Sequence, residues 1–446
     1  MAKFLVSTMP ATGHVNPALP VATALVNRGH EVWWHTGTEY ADKVTATGAH
    51  FVPFDRTPDF TKIPVVPDPG AKGPAAGVSV LRRLFIDRIP GQVADYESIL
   101  SNFSADVLIV DMCSLGAAAL RDRGGPVYAT LGINPLVTAD PEIPPFGSHR
   151  PPASSTVGRA RNRLAHAMGR IFMRKPTALL NAVRDDLGLT PLPPGKDLSD
   201  VLRSPFLHIM PTTEAFEYPR RNLEPQVHFV GPLLPAPPSD FNPPTWWNDL
   251  TGKRVVHVTQ GTVATDPNAL VRPTIEALAC EDVLLVVTSP DPAALGTLPG
   301  NVRTAEFIPH AELLPHVDAM VTNAGYNGVL TALAHGVPLV CAGLSEDKAN
   351  VSARVAWSRA GIDLKTDKPS PRQLRDAIRR VLGDPVYHRN AARIRDEFAR
   401  HLPSTEAAAL LERLAENEAP VFREAMARHP EQTGPNKRLP PTDAGR

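Results

Sequence analysis

The chain reads as an α/β protein made of two doubly wound parallel sheets that face each other. Three observations carry that reading. Short apolar runs alternate with stretches of helical period across residues 1–235. The same alternation restarts at residue 251 and continues to 383. Between them lies LLPAPPSDFNPPTWWNDLTGKR, rich in Pro and polar residues, which places an interdomain linker at 236–250.

Taken in order, residues 3–9 form the first strand. Asn16 can cap a helix that begins at Pro17, where a missing N–H costs little. Ala18, Leu19, Ala22, Leu25 and Val26 make its buried stripe, and Gly29 stops it. Residues 30–35 (HEVWWH), 106–111 (DVLIVD) and 126–130 (PVYAT) continue the sheet, and 207–211 and 227–230 close this half. In the second half 254–260 (RVVHVTQ) is a strand, Gly261-Thr262 a turn and 268–280 a helix. Further strands fall at 283–288, 302–307, 318–322 and 337–341. Residues 384–416 are charged and helical, and are expected to pack back on the first half. Residues 419–446 are expected to be disordered.

Composition narrows the function. Lys plus Arg equals Asp plus Glu at 46 each, so no basic field argues for nucleic acid and no polybasic tract for a membrane. The N-terminus reads as a strand broken by Pro10 rather than a signal peptide, and no apolar run is long enough to span a bilayer. Three cysteines, Cys113, Cys280 and Cys341, are too sparse for a disulfide framework and read as buried thiols. A cytoplasmic protein, monomeric or weakly dimeric, is expected. Proline is in excess, 48 of 446 residues, and marks long ordered loops.

The densest signal is FIPHAELLPHVDAMVTNAGYNGVLTALAHGVPLVCAGLSEDK, residues 307–348. A buried strand there runs into Asn323-Ala324-Gly325-Tyr326-Asn327-Gly328 and then into a helix over 329–335. Glycines at a strand-to-helix turn leave backbone N–H groups free at the positive end of a helix dipole. That is an anion site, and phosphate is the usual anion.

These residues resemble glycosyltransferases of the GT-B fold, in the family that holds plant secondary-metabolite glucosyltransferases and bacterial macrolide glycosyltransferases. Residues 1–416 follow its pattern. Phe307-Ile308-Pro309-His310 is similar to the box that stacks the donor base. Asn323, Gly325, Asn327 and Gly328 fall in its phosphate motif, and Gly336-Val337-Pro338 in its next strand. Asp347-Lys348 stands where the family grips the sugar hydroxyls. Gly261-Thr262 stands where it touches the β-phosphate, and Gly13-His14-Val15-Asn16-Pro17 matches its N-terminal motif. The chain departs from the family at Asn323, Thr331 and Lys348, where His, Glu and Gln are usual. Without a carboxylate at Thr331, ribose recognition is altered, and a deoxyribose donor gains ground.

The resemblance implies two Rossmann-like domains facing across a cleft, and a small-molecule chemistry. His14 is the expected general base, oriented by Asp111, since both follow strands of a parallel sheet at their carboxyl ends. The reaction expected is metal-independent, inverting transfer of a hexose from a nucleotide diphosphate sugar, with no cofactor. The donor is UDP-glucose, or a dTDP-sugar as the alternative. The acceptor is a hydroxyl on an apolar molecule of polyphenol, flavonoid or macrolide type. Its pocket walls would come from residues 51–85 and 131–172. No Asp-x-Asp and no His-Glu-x-x-His occurs. Two readings compete: a nucleotide-sugar epimerase on the same scaffold, and a binding protein that lost catalysis. The plainer readings of the residues also stand: Asp111 as a helix cap, Phe307 as core, and Asp347-Lys348 as a surface ion pair.

Overall fold

The computed structural model describes residues 1–59, 67–237, 240–261 and 266–423. The first sheet has seven parallel strands: β1 Lys3–Ser7, β2 Glu31–Thr36, β3 His50–Pro53, β4 Val107–Asp111, β5 Val127–Leu131, β6 Leu207–Met210 and β7 Val227–Phe229. Their order is β3-β2-β1-β4-β5-β6-β7. Its helices are α1 Thr12–Asn27, α2 Ala41–Thr45, α3 Pro74–Leu81, α4 Ile89–Leu100, α5 Gly116–Asp122 and α6 Thr156–Asp186. The second sheet has six: β8 Val255–Thr259, β9 Leu284–Thr288, β10 Val302–Ala305, β11 Ala319–Thr322, β12 Leu339–Cys341 and β13 Gly361–Asp363, ordered β10-β9-β8-β11-β12-β13. It too is parallel throughout. Its helices are α7 Val271–Leu278, α8 His310–Leu313, α9 Tyr326–Ala334, α10 Lys348–Trp357 and α11 Pro371–Gly383, followed by α12 Pro385–Phe398 and α13 Pro403–Asn417.

Both sheets are covered on both faces, which is why their strands are continuously apolar rather than alternating. Phe4, Val6 and Ile109 point to the face covered by α1, while Leu5, Leu108 and Val110 meet Tyr96 of α4 and Leu120 of α5. In the second sheet Val286 and Met320 pack on α9, α10 and α12, and Val258, Val287 and Val321 on α7 and α11. Only α13 crosses back. Its Ala407, Ala408, Leu411 and Leu414 join the core formed by β1 and α1. Each fully buried Leu contributes roughly 1.5–3 kcal/mol there. The expectation that all of 384–416 returns to the first half is thus corrected, because α12 spends its apolar stripe (Ala391, Ile394, Phe398) on the second sheet.

Other elements differ from expectation for identifiable reasons. The first helix begins at Thr12, not Pro17, with Ala11 at its N-cap and both Pro17 and Pro20 inside it. Residues 131–172 are not all loop, since α6 occupies them from Thr156 onward; the Ser155 hydroxyl caps it by accepting from Gly158 N at 3.1 Å. Helix α9 starts at Tyr326, so Asn327 and Gly328 lie in its first turn. Cys280 is exposed, unlike Cys113 and Cys341. Thr262 and residues 424–446 lie outside the described residues.

Candidate active site

Each sheet reverses its strand order once, between β1 and β4 in the first and between β8 and β11 in the second. Loops leaving such a switch point diverge, and the crevice between them is where open parallel sheets bind ligands. His14, in the first turn of α1, and Asp111, at the end of β4, stand at the first switch point. The loops bearing Gly261 and Asn323–Gly325 leave the second.

Asp111 is the last residue of β4 and is buried, while His14 sits in the first turn of α1. His14 Nδ1–H donates to Asp111 Oδ2 at 2.9 Å. The carboxylate also accepts from Met9 N at 2.6 Å, from Cys113 N at 2.7 Å and from the Ser114 hydroxyl at 3.2 Å. Burial by itself would raise this carboxyl. Its proximity to His14 and the donated hydrogen bonds outweigh burial and hold it below the usual carboxylate range. Asp111 is therefore the acceptor that fixes the Nδ1–H tautomer, and His14 Nε2 is left with its lone pair and no partner among the described residues. Cys113 Sγ lies within 4.8 Å of both ligand atoms, the one such cluster among the described residues. Burial pushes its thiol far up, and a protonated thiol is a poor metal ligand.

In the second half Asn323 follows β11 and is buried, its side-chain amide donating to the Gln260 carbonyl. Ala324 takes a left-handed conformation (φ 65°), a strained choice for a residue with a Cβ, beside Gly325 at the N-cap of α9. No side chain caps α9, so its first N–H groups face outward unpaired by any capping group. Gly261 has φ 74°, as only glycine adopts freely. Gly343 is required by crowding: a Cβ there would run into the Asn323 carbonyl. That close approach brings the loop carrying Asp347 and Lys348 beneath the Asn323 turn.

Asp347 opens α10, and burial pushes its carboxyl up to about 6, with Lys348 and His14 pulling the other way. His14 of the first half thus lies within electrostatic reach of Asp347 in the second. Lys348 is buried, and its ammonium is held by Glu346 and by the Ser345 hydroxyl. Phe307 is 73% exposed, so its ring stands in the open. Ile308 is core, and His310 is half-buried, edge-on to His257 at 5.6 Å; burial lowers His310 to about 4. The Thr331 hydroxyl donates to the Asn327 carbonyl at 2.7 Å. Asn327 Nδ2 in turn donates to the Gly13 carbonyl at 3.0 Å, beside His14.

Sequence reasoning missed the residues that set one half against the other. Glu217, buried in the first half, accepts from Arg354 of α10 through Nε at 2.8 Å and Nη2 at 2.5 Å. Arg220 pairs with the same oxygen at 3.1 Å, and Arg354 lies over the Tyr218 ring at 4.1 Å. Gly147 N donates to Asn350 Oδ1 at 2.6 Å, and His149 Nδ1 bonds Asp363 Oδ2 at 2.7 Å. No motif flags these positions.

Two parallel-sheet α/β domains, with the His14–Asp111 pair at one switch point and an uncapped helix N-terminus at the other, make up a GT-B fold. The chain belongs to the GT-B family 1 glycosyltransferases. Residues 273–414 match the family described as erythromycin biosynthesis protein CIII-like, C-terminal domain. The chain is 44% identical over 419 residues to 4'-demethylrebeccamycin synthase of Lentzea aerocolonigenes, covering 93% of this chain and 99% of that one. It is 32% identical over 439 residues to UDP-glycosyltransferase 2 of Phaeomoniella chlamydospora, covering 93% and 94%. Among solved structures it is similar to the calicheamicin glycosyltransferase CalG4, with a TM-score of 0.73 at 22% identity, covering 94% of this chain and all of that one. A spinosyn rhamnosyltransferase complexed with thymidine diphosphate gives 0.67 at 22% identity, covering 92% and 99%. The protein is thus a glycosyltransferase of natural-product type.

Proposed function

We propose that this enzyme transfers a hexose from UDP-glucose to a hydroxyl of an apolar small molecule, with inversion and without metal or cofactor. The His14–Asp111 pair carries the reading. Asp111 orients the ring and stabilises the imidazolium that forms when Nε2 takes the acceptor proton. The acceptor oxygen attacks the anomeric carbon opposite the diphosphate, which leaves toward the N-terminus of α9. There Gly325–Gly328 and Gly261 provide backbone N–H groups and the helix dipole, an electrostatic sink that needs no ion. Asp347 is placed to accept from sugar hydroxyls, and the exposed Phe307 ring to stack on the base.

A dTDP-sugar is the second reading, favoured by Thr331. Its hydroxyl is already committed to the Asn327 carbonyl, and it offers no carboxylate to a ribose diol.

Mass spectrometry of mixed UDP- and dTDP-sugars against flavonoid, polyphenol and macrolide acceptors tests both. Glycosylated product with loss of the nucleoside diphosphate supports transfer. Turnover of the donor without acceptor would instead indicate an epimerase, and nucleotide binding without any product an inactive binder. His14→Ala is expected to cut product formation by about 10²–10⁴-fold while leaving nucleotide binding intact.

A further inference from the structure

Helix α6 presents a face that no described residue covers. Its inner side, Gly158, Asn162, Pro176, Leu180 and Arg184, is buried. Asn162 donates to the Pro141 carbonyl, and His166 bonds the carbonyls of Asp140 and Ile143, so the helix is fixed in place. On the opposite side Val157, Leu164, Met168 and Ile171 are each at least 60% exposed. At about 100° per residue these four share an arc of roughly 60°. They are four of the ten large apolar side chains that stand exposed among the described residues. Scattered singly such residues mean nothing; aligned on one helix they form a stripe.

The charges beside the stripe are all of one sign. Arg174, Arg163 and Arg170 lie roughly 60–100° round the helix from it on one side, Arg161 borders it on the other, and Lys175 stands within it. No Asp or Glu occurs between Glu142 and Asp185. The zero net charge of the whole chain conceals this separation.

We propose that the outer face of α6 docks on an anionic lipid surface, with the helix lying in the plane of the headgroups. An apolar stripe with basic borders is the pattern that enters the headgroup region, its arginines meeting lipid phosphates. A second copy of the chain fits poorly, because it would set like charges opposite one another. The helix lies on the surface and does not cross it, since no helix among the described residues is long and apolar enough to span a membrane. This docking is independent of which nucleotide-sugar donor the enzyme uses.

Sedimentation of the full chain with phosphatidylglycerol vesicles, against phosphatidylcholine vesicles, tests it. Binding is expected to the anionic vesicles alone and to fall as salt is raised. Arg163→Gln and Arg170→Gln are each expected to weaken partition about fivefold. Met168→Ser together with Ile171→Ser is expected to weaken it tenfold or more. These side chains point outward, so thermal midpoints should not move, which separates lost binding from lost folding. Equal partition onto both vesicle types, or none onto either, overturns the proposal. So does a dimer in size-exclusion chromatography that Ile171→Ser dissolves, which would make the stripe a self-interface.

Discussion

The side-chain amide of Asn327 donates to the carbonyl oxygen of Gly13, joining the first turn of α9 to the first turn of α1. Pro17, four residues after Gly13, has no N–H, so the helical partner that this carbonyl would ordinarily have is missing. A proline inside the helix therefore frees an acceptor for the other half of the molecule, one residue from His14.

Asn327→Ala should remove the link without touching His14 itself. A hydrogen bond of this kind is worth about 0.5–1.5 kcal/mol, so kcat/KM is expected to fall roughly 2- to 10-fold in steady-state assays. Pro17→Ala restores the helical donor. It is expected to raise the thermal midpoint, as a helix-interior proline is lost, while weakening kcat/KM less than Asn327→Ala does.

Glu217 and Arg354 are both buried, and Glu217 is kept ionised: burial opposes its charge, but Arg354 and Arg220 more than compensate. Removing Arg354 strips Glu217 of its strongest partner and leaves the buried carboxylate with Arg220 alone. Arg354→Met is expected to cost about 3–5 kcal/mol in urea unfolding. The double variant Glu217→Gln, Arg354→Met should recover part of that loss.

His257 and His310 make the second sheet acid-sensitive. Burial lowers His257 to about 3 and His310 to about 4, from an unfolded value near 6.5. The unfolded chain therefore binds more protons below that value. Their contribution to stability is complete above pH 6.5 and declines as pH falls toward 4. His257→Gln is expected to flatten the fall in thermal midpoint between pH 6.5 and 4.

Asp347 has the opposite sign. Its carboxyl, held near 6 by burial, titrates near 3.9 when unfolded, so stability is lost as pH rises through 6. Asp347→Asn should thus raise the thermal midpoint at pH 7.5 and change it little at pH 4.5. In the same variant KM for the nucleotide sugar is expected to rise.

The strands were legible because both faces of each sheet are covered, so runs such as 107–110 are apolar at every position. The His14–Asp111 contact was legible too: both follow strands that are neighbours at the switch point. Helix α6 was not. Its outer face is apolar where solvent was expected, which blurs the helical period, and Pro151-Pro152 just before it read as loop. The start of α1 was misplaced because Pro17 looked like a first helical residue, although it stands inside a helix and gives up one bond. Nothing in the chain announces that Asn327 meets Gly13 or that Glu217 meets Arg354. Such pairs arise only when two separately folded sheets are set face to face.

Because α13 completes the core of the first sheet, the beginning and the end of the chain are one folding unit. Strand β1 emerges from the ribosome about 400 residues before Leu411 and Leu414, which cover it. At about 5–20 residues per second, that half waits roughly 20–80 s with an apolar face uncovered. The second sheet, whose covering helices are all its own close neighbours in sequence, can finish before it. Of the two halves, the one made earlier is thus the last to be sealed, and it is the half that holds the His14–Asp111 pair.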